Sequence, residues 1–401
     1  PIITTKRKPT MKHLLKVLLP AIILAAACKK KDSDPQPGDP ATAQLTEKLS
    51  AIHKSSVMPG LFTAVIKKGE VVYAKGFGFA DEKKTRPFTA QTAMPVASVS
   101  KTLIAIAIMK AVEEGHFTLE SNINDLLPFK VVHRLYPDIP IKVKHLVTHT
   151  TGIRDTLTNE TDNYTFGKTP PQTLEAFLRD YYVPGGKWYK EQAFLTAKPG
   201  EKVVYSNYAA ALAAYLVEYK TGVPYNVYVQ TKIFQPLQLR SANMFYDENM
   251  SSRYADLLSP FPAPQWVPVY CFSTYPDGSW RVSGEDLVTY LREVIKGYNG
   301  NGTLLQKTSY QQIFTPGANL GIGDASIGVF WFRFNGNFMH GGNDPGVATE
   351  IGFDPVTQSG WVIMTNTTVD RPYPGSPAGL EQLSEAYDAI SNLLISFAKK
   401  G

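Results

Sequence analysis

A serine and a lysine three residues apart, Ser98 and Lys101, could together carry out nucleophilic catalysis. On one face of a helix their Cβ atoms would be about 5–6 Å apart. A serine hydroxyl is a poor nucleophile until a neighbouring base takes its proton, and a nearby amine can be that base. The pattern is weak on its own, because a capping serine followed by a solvated lysine has the same spacing.

A tyrosine and an asparagine, Tyr205 and Asn207, form the chain's only Y-x-N. They stand where a loop enters a predicted helix, so both side chains can point into one cleft. A tyrosinate beside an ammonium can act as a general base. The Asn207 amide can donate to a substrate carbonyl and accept from Lys101. The alternative interpretation is a simple helix cap.

A histidine and two glycines, His340, Gly341 and Gly342, end a predicted strand and lead into Asn343. Two glycines on an edge strand let a substrate backbone come close and pair with that strand. The alternative interpretation is a loose turn.

The three motifs, in this order, resemble the S-x-x-K, Y-x-N and H/K-x-G motifs of class C β-lactamases, bacterial D-Ala-D-Ala carboxypeptidases, D-aminopeptidases and related esterases. The resemblance covers about residues 45–400 and extends to the segments between the motifs. These segments are LESNINDLLP at 119–128, IKVKHLVTHTTGI at 141–153, KPGEKVVYSNYAAALAAYLVEYKTGVPYNVYV at 198–229, SGEDL at 283–287 and HGGNDPGVATEIGFDP at 340–355.

The resemblance implies a role for each motif residue. Ser98 would be acylated, and Lys101 and Tyr205 would share the proton transfers of acylation and deacylation, with either one as the base. An oxyanion hole would form from the backbone N–H groups of Ser98 and Asn343. The residues implied to contact the substrate or the oxyanion are Asn207, His340, Gly341, Gly342 and Asn343.

The first residue of the third motif departs from the β-lactamase pattern. β-Lactamases usually have lysine there, and its charge helps to hold the substrate carboxylate. His340 is mostly neutral near pH 7, and histidine-first relatives include esterases and peptidases that act next to D-residues. We therefore expect an acyl-serine hydrolase of a D-amino-acid-containing peptide or amide, an ester or a β-lactam. The alternative is a penicillin-binding-type sensor or binding lipoprotein that acylates with little or no turnover.

Strand-like segments at both ends of the chain and a mostly helical middle predict an α+β fold, of the β-lactamase/transpeptidase-like type by the resemblance. One antiparallel sheet would form from the two ends and be covered by terminal helices. The predicted strands are 61–67, 70–75, 327–334, 337–341, 347–353 and 361–366, and the predicted helices lie near 44–56, through 103–109, at 208–220 and at 380–399.

These elements belong to one predicted catalytic domain at 45–400. Its sheet lobe comprises 45–93 and 320–400, and its helical lobe comprises 94–319. The site would lie in the cleft between the lobes.

The N-terminal segment predicts export. Residues 11–28 resemble a lipoprotein signal peptide, with two lysines, an apolar run too short to span a membrane, and Cys28 as the lipid-bearing residue. Residues 29–44 are polar and Pro-rich, which is typical of a flexible linker. We expect a membrane-anchored lipoprotein that faces the periplasm or the cell surface. An ordinary signal peptide with a chance cysteine is the alternative.

Composition limits the partners. The formal net charge is +6, but five cations and no acids precede Cys28, so the mature chain is near neutral and offers no basic face for nucleic acid. We predict a monomer that binds a small-molecule or peptide substrate and needs no cofactor. His145 and His149 have the spacing of a zinc pair but lack the intervening glutamate, so we predict no metal. Cys271 is expected to be a buried, unreactive thiol.

Overall fold

The computed structural model describes residues 39–156, 163–370 and 377–400. The predicted signal segment 11–28, with Cys28, and residues 29–38 of the predicted linker lie outside them. The described residues form an α+β fold whose main sheet has eight antiparallel strands. The strands are β1 (Gly60–Lys67), β2 (Glu70–Gly78), β3 (Ala93–Pro95), β4 (Tyr164–Phe166), β5 (Leu257–Ser259), β6 (Gln265–Val267), β7 (Tyr270–Phe272), β8 (Arg281–Ser283), β9 (Ala318–Asn319), β10 (Ser326–Ile327), β11 (Phe332–Phe334), β12 (Asn337–Asp344), β13 (Val347–Asp354) and β14 (Ser359–Thr365).

The main sheet joins the two ends of the described chain, as the sequence predicts. Its strand order is β2-β1-β14-β13-β12-β11-β10-β9, so the N-terminal hairpin pairs directly with the last strand. Three two-stranded sheets, β3-β8, β4-β7 and β5-β6, lie in the part of the chain predicted to be mostly helical. These small sheets were not predicted, because strands of three residues are too short to show alternation.

Nine α-helices accompany the strands within the described residues. A 3₁₀ turn at Ala97–Ser100 comes directly before the second of them. The helices are α1 (Pro40–Ser55), α2 (Lys101–Glu113), α3 (Val143–Val147), α4 (Leu174–Tyr182), α5 (Asn207–Thr221), α6 (Tyr225–Val229), α7 (Gly284–Tyr298), α8 (Lys307–Phe314) and α9 (Ala378–Lys399).

The first helix begins earlier than predicted. The Asp39 side chain accepts a hydrogen bond from the Ala41 backbone N–H, and Pro40 occupies the first helical position, where its missing N–H costs nothing. The end of the predicted linker at residue 44 was therefore wrong, since residues 40–44 are helical. Both terminal helices, α1 and α9, pack on the main sheet as predicted.

Two apolar clusters hold the domain together. The smaller one lies between the sheet and the terminal helices and includes Leu49, Trp361 and Ile390. The larger one surrounds α2 and α5, whose side chains are buried almost all round. A helix that is apolar on every face must lie inside the protein. These two helices pack against each other and form a rigid base for the residues at their N-termini.

Two sequence-based boundaries change in the structure. The predicted strand 327–334 is two short strands, because Phe330 adopts a left-handed φ of 56° and the chain turns inward to donate from Phe330 N to Val147 O. The predicted boundary between the helical lobe and the sheet lobe at residue 319 does not separate two structural layers either. Helix α7 belongs to the predicted helical lobe, yet it packs on β1 and β14 of the main sheet.

Candidate active site

Ser98 lies in a tight turn directly before α2. The motif predicted that Ser98 lies at the start of an α-helix. In the structure α2 begins only at Lys101, and Ser98 lies in the 3₁₀ turn that precedes it. Ala97 has a φ of 47°, a left-handed conformation that is unfavourable for a residue with a Cβ and is often found at functional sites. Ser98 is partly exposed, whereas Ala97, Val99 and Ser100 are buried. Ser98 is therefore the one residue of this turn that is not buried.

Lys101 is completely buried and connects the first two motifs. Its Nζ donates to Ser98 Oγ at 3.1 Å and to Asn207 Oδ1 at 2.8 Å. The third hydrogen bond goes to the backbone carbonyl of Asp277 at 2.8 Å. An ammonium group has three N–H donors, so each one has a partner in this arrangement. These bonds hold the nitrogen within reach of the serine proton.

The second motif supplies a phenol and an amide at the same place. The ring of Tyr205 lies 5.0 Å from Lys101 Nζ and 4.4 Å from the His149 ring, and 39% of the residue is exposed. Because Asn207 accepts from Lys101 through Oδ1, its Nδ2 is oriented to donate elsewhere. The structure thus brings together Ser98, Lys101, Tyr205 and Asn207.

Asp155 positions the second motif and was not found from the sequence. Its carboxylate accepts from Ser206 Oγ at 2.6 Å and from the Asn207 backbone N–H at 2.7 Å. The carboxylate lies at the N-terminus of α5, where the helix dipole favours a negative charge. Burial raises the pKa of Asp155, and its hydrogen bonds and the nearby Lys101 oppose that rise. The only sequence signal is its position just after the segment 141–153.

The third motif lies inside a strand, not at its end. Strand β12 continues to Asp344, and β11 pairs with it only as far as Met339. Among the described residues, no strand pairs with 340–344 on that side, so this edge is available to an extended ligand. A Cβ on Gly342 would lie 3.1 Å from the Ser98 backbone nitrogen. The third motif therefore runs directly beside the nucleophile.

Replacement of Gly342 by alanine is expected to destabilise the fold by about 1–3 kcal/mol, because the added methyl would overpack the contact between β12 and the nucleophile turn. The new Cβ would lie 2.3 Å from Val96 O and 2.6 Å from Thr349 Oγ1. Gly341→Ala is the matched control, since its Cβ would meet only Thr349 O at 3.8 Å. Thermal unfolding should separate the two variants. Equal melting temperatures would contradict the close packing described.

Both histidines near the site are held neutral. Burial lowers the pKa of His340 to about 3, and the positive charge of Lys101 adds to the effect. The same two causes lower the pKa of His149 well below its ordinary value. His340 Nδ1 donates to the carbonyl of Gly341 at 2.7 Å, and His149 Nδ1 accepts from the Ser206 backbone N–H at 3.2 Å. At neutral pH, neither ring offers a positive charge to a substrate carboxylate.

Two buried carboxyl groups also lie around the site. Burial raises the pKa of Asp277 and of Asp344 to about 7 in each case, despite the opposing effect of Lys101. Asp344 accepts a hydrogen bond from Tyr164 Oη at 2.7 Å. No spacing in the sequence relates either aspartate to Ser98, so neither was predicted.

Replacement of Asp277 by asparagine is expected to stabilise the protein more at pH 8 than at pH 5. The folded pKa of about 7 lies above the ordinary 3.8, so the folded state binds the proton more tightly. The protonated Asp277 carboxyl therefore adds to the unfolding free energy of the wild-type protein below about pH 4. This contribution of up to about 4 kcal/mol is lost as the pH rises to 7. Urea unfolding of both proteins at the two pH values measures the difference. Asp138→Asn, at an exposed loop position, is the control, and an equal effect of Asp277→Asn at both pH values would contradict the expectation.

The remaining sequence candidates have structural partners. His145 Nδ1 accepts from the Lys142 backbone N–H at 3.1 Å, and Cys271 is buried, where desolvation raises the pKa of its thiol. No group of three or more histidine, cysteine or acidic side chains in the described part of the chain is arranged to hold a metal ion. Within the same residues, no helix has the length and apolar character needed to cross a membrane.

Comparison with known proteins defines the class. The Beta-lactamase family model matches residues 43–383, so the chain belongs to the Beta-lactamase family. Among its relatives is PbpX of Bacillus subtilis (strain 168), provisionally named a penicillin-binding protein, which is 25% identical over 348 residues, or 84% of this chain and 78% of PbpX. Protein flp of Staphylococcus aureus (strain MRSA252) is 23% identical over 77% of this chain, which spans 60% of flp.

Solved structures have the same fold. The β-lactamase/D-alanine carboxypeptidase of Pseudomonas syringae superposes with a TM-score of 0.70 at 18% identity, covering 90% of this chain and 99% of that one. The penicillin-binding protein of Bacillus halodurans gives a TM-score of 0.67 at 22% identity, covering 85% and 98%. At these identities the likeness concerns the fold, and the chemistry must be argued from the site itself.

Proposed function

We propose that this protein is a hydrolase that works through an acyl-Ser98 intermediate on an ester or on a peptide or amide containing a D-amino acid. The observation that carries the proposal is the 3.1 Å contact between Nζ of the buried Lys101 and Oγ of the partly exposed Ser98. A nucleophile and a base within hydrogen-bonding distance, with the base held by further partners, are what covalent catalysis requires.

The proposed reaction has two steps. Ser98 Oγ attacks the substrate carbonyl carbon and loses its proton to Lys101 or Tyr205, whichever of the two is in its deprotonated form (neutral amine or tyrosinate), while the backbone N–H groups of Ser98 and Asn343 stabilise the oxyanion. Tyr205 then protonates the leaving group, and the acyl–Ser98 bond remains. In the second step a water molecule attacks the acyl carbon, the same groups take its proton, and Ser98 Oγ leaves with a proton restored.

The neutral His340 favours esters and amides over β-lactams. Efficient β-lactam turnover needs a cation near the substrate carboxylate, and burial keeps His340 uncharged above about pH 3. We therefore expect penicillins, which carry a carboxylate, to be hydrolysed more slowly than esters that carry no carboxylate.

A substrate panel tests the proposal. The panel consists of a p-nitrophenyl ester, a D-amino-acid anilide, a D-Ala-D-Ala peptide and nitrocefin, and the steady-state rate is measured with each. Turnover of the ester or of a D-residue amide, well above that of nitrocefin, is the expected result. A stoichiometric burst without steady-state turnover would favour the second candidate function, a penicillin-binding-type sensor. No reaction with any compound would contradict both.

We further propose export and membrane attachment through lipid on Cys28, with a monomeric domain that binds no nucleic acid. The support is the apolar run before Cys28 and the near-neutral charge after it. Fractionation of cells expressing the full chain should place it with membranes, and Cys28→Ser should release it. Equal distribution of the two proteins would contradict the lipid anchor.

A further inference from the structure

A cavity of about 590 Å³ opens beside the end of the active-site strand. Its walls include Tyr164 and Phe166 from β4, Val267 from β6, Tyr270 from β7, and Pro345. We call it the acyl cavity. Its volume lies within the range of roughly 300–1,000 Å³ that small-molecule sites occupy.

The acyl cavity borders the end of the strand that carries the third motif. Its lining residue Pro345 directly follows Asp344, and the Oη of Tyr164, another lining residue, donates to Asp344. The Tyr164 ring stacks on Phe272 with 4.5 Å between ring centroids. A Cβ on Gly278 would lie 3.0 Å from Phe272 Cζ and 3.8 Å from the carbonyl carbon of Ala97, the residue before the nucleophile. The cavity residue Tyr164 is therefore packed, through buried Phe272, against the turn that carries Ser98.

The position of Tyr205 decides which part of a substrate enters the acyl cavity. Tyr205 lies near the opposite end of the exposed edge of β12, where its ring is 6.4 Å from Phe332 and the Phe332 ring is 5.4 Å from His340. A general acid must contact the leaving group. The leaving group therefore departs toward the His340 end, and the acyl group extends along β12 toward Pro345.

The chemistry of the walls selects the kind of acyl group. None of the described residues that line the acyl cavity is Asp, Glu, Lys, Arg or His. Burial raises the pKa of both Tyr164 and Tyr270 well above 10, so both phenols are uncharged at neutral pH. The polar lining residues, Thr165, Ser259 and Gln265, are uncharged. The aromatic faces stabilise an aromatic ligand, and a carboxylate would lose hydration there without gaining a cationic partner.

The geometry points to an uncharged aromatic acyl group as the substrate portion that fills the acyl cavity. This inference rests on the proposed acyl-Ser98 chemistry and narrows it to esters or amides of arylacetic-type acids. A substrate whose acyl group carries a carboxylate is disfavoured.

Three esters of one alcohol test this inference in the wild-type protein: acetyl, phenylacetyl and 4-carboxyphenylacetyl. Because the three esters share one leaving group, its contacts near His340 are the same for all three. We expect kcat/KM for the phenylacetyl ester to exceed that of the acetyl ester by about 10-fold to 100-fold. The carboxylate-bearing ester should be slower than the phenylacetyl ester by at least about 100-fold.

Two variants assign the preference to the cavity. Phe166→Ala should reduce the phenylacetyl-to-acetyl ratio, and Phe166 is 73% exposed, so its loss does not disturb the core. Val267→Lys should raise kcat/KM for the carboxylate-bearing ester relative to the phenylacetyl ester, a gain that misfolding would not produce. Val356→Ala changes an exposed apolar residue in the turn between β13 and β14 and should alter neither ratio.

The outcomes separate this inference from the proposed function. If the acetyl ester acylates Ser98 but the three esters react at similar rates, the acyl-cavity assignment is overturned and the hydrolase proposal stands. An unchanged ester preference in Val267→Lys would likewise overturn the assignment. If none of the esters acylates Ser98, both proposals fail.

Discussion

The Ser98→Ala variant is expected to lose acylation and to show a kcat/KM for ester hydrolysis lower than wild type by about 10⁴-fold to 10⁶-fold. The substitution removes the Oγ atom that Lys101 Nζ contacts at 3.1 Å. Binding and the oxyanion donors would remain, but the atom that forms the covalent bond would not. Steady-state hydrolysis of a p-nitrophenyl ester, followed by absorbance, measures the effect.

Ser100→Ala is a matched control for this prediction. Ser100 is two residues further along the same turn and buried, and its Oγ accepts from the Trp280 backbone N–H at 3.1 Å. Its removal should lower the unfolding free energy by about 1 kcal/mol while acylation continues. Circular dichroism should give the same spectrum for all three proteins. A Ser98→Ala protein that retains a tenth of the wild-type rate would exclude Ser98 as the nucleophile.

The Tyr205→Phe variant is expected to be slower by about 10²-fold to 10⁴-fold, the usual range for loss of a general acid or base. Phenylalanine keeps the ring beside His149 and near Lys101 and removes only the phenolic oxygen. The loss should be larger for an alkyl ester than for a p-nitrophenyl ester, because p-nitrophenolate leaves without being protonated. Comparing kcat/KM for the two esters tests the assigned role directly.

The control for Tyr205 comes from the same region of the fold. Tyr219 lies near the C-terminal end of α5, whereas Asn207 is at its N-terminal end, and 47% of Tyr219 is exposed. Tyr219→Phe makes the same chemical change and should leave both ester rates at the wild-type level. Equal losses for activated and alkyl esters in Tyr205→Phe would assign the phenol to the attack step and not to leaving-group protonation. Wild-type rates would remove Tyr205 from the mechanism.

The sequence predicted those features that depend on local chemistry. Helix α5 begins after a capping Ser206 and is followed by Gly222, whose φ of 69° favours a residue without a Cβ, and both signals are visible in the sequence. The buried character of α2 follows from its unbroken apolar run. The resemblance then related three weak motifs to one another, and the structure brings their residues together.

Features that depend on long-range packing could not be predicted. Lys101 donates to a backbone carbonyl at Asp277, and any residue type could supply that oxygen. Asp155 acts through its position at the start of α5, which only the folded chain defines. The break at Phe330 is equally hidden, because its aromatic and apolar neighbours favour a strand locally, whereas in the folded chain its backbone N–H donates to Val147 O, far away in sequence.

Rapid acid quenching during hydrolysis of a phenylacetyl ester, followed by peptide mapping by mass spectrometry, tests directly whether Ser98 is the acylated nucleophile. We expect a mass increase of one phenylacetyl group on the peptide containing Ser98, absent from Ser98→Ala and accumulating before steady state is reached. Continued turnover with no adduct on Ser98, or with an adduct on another residue, would contradict this expectation.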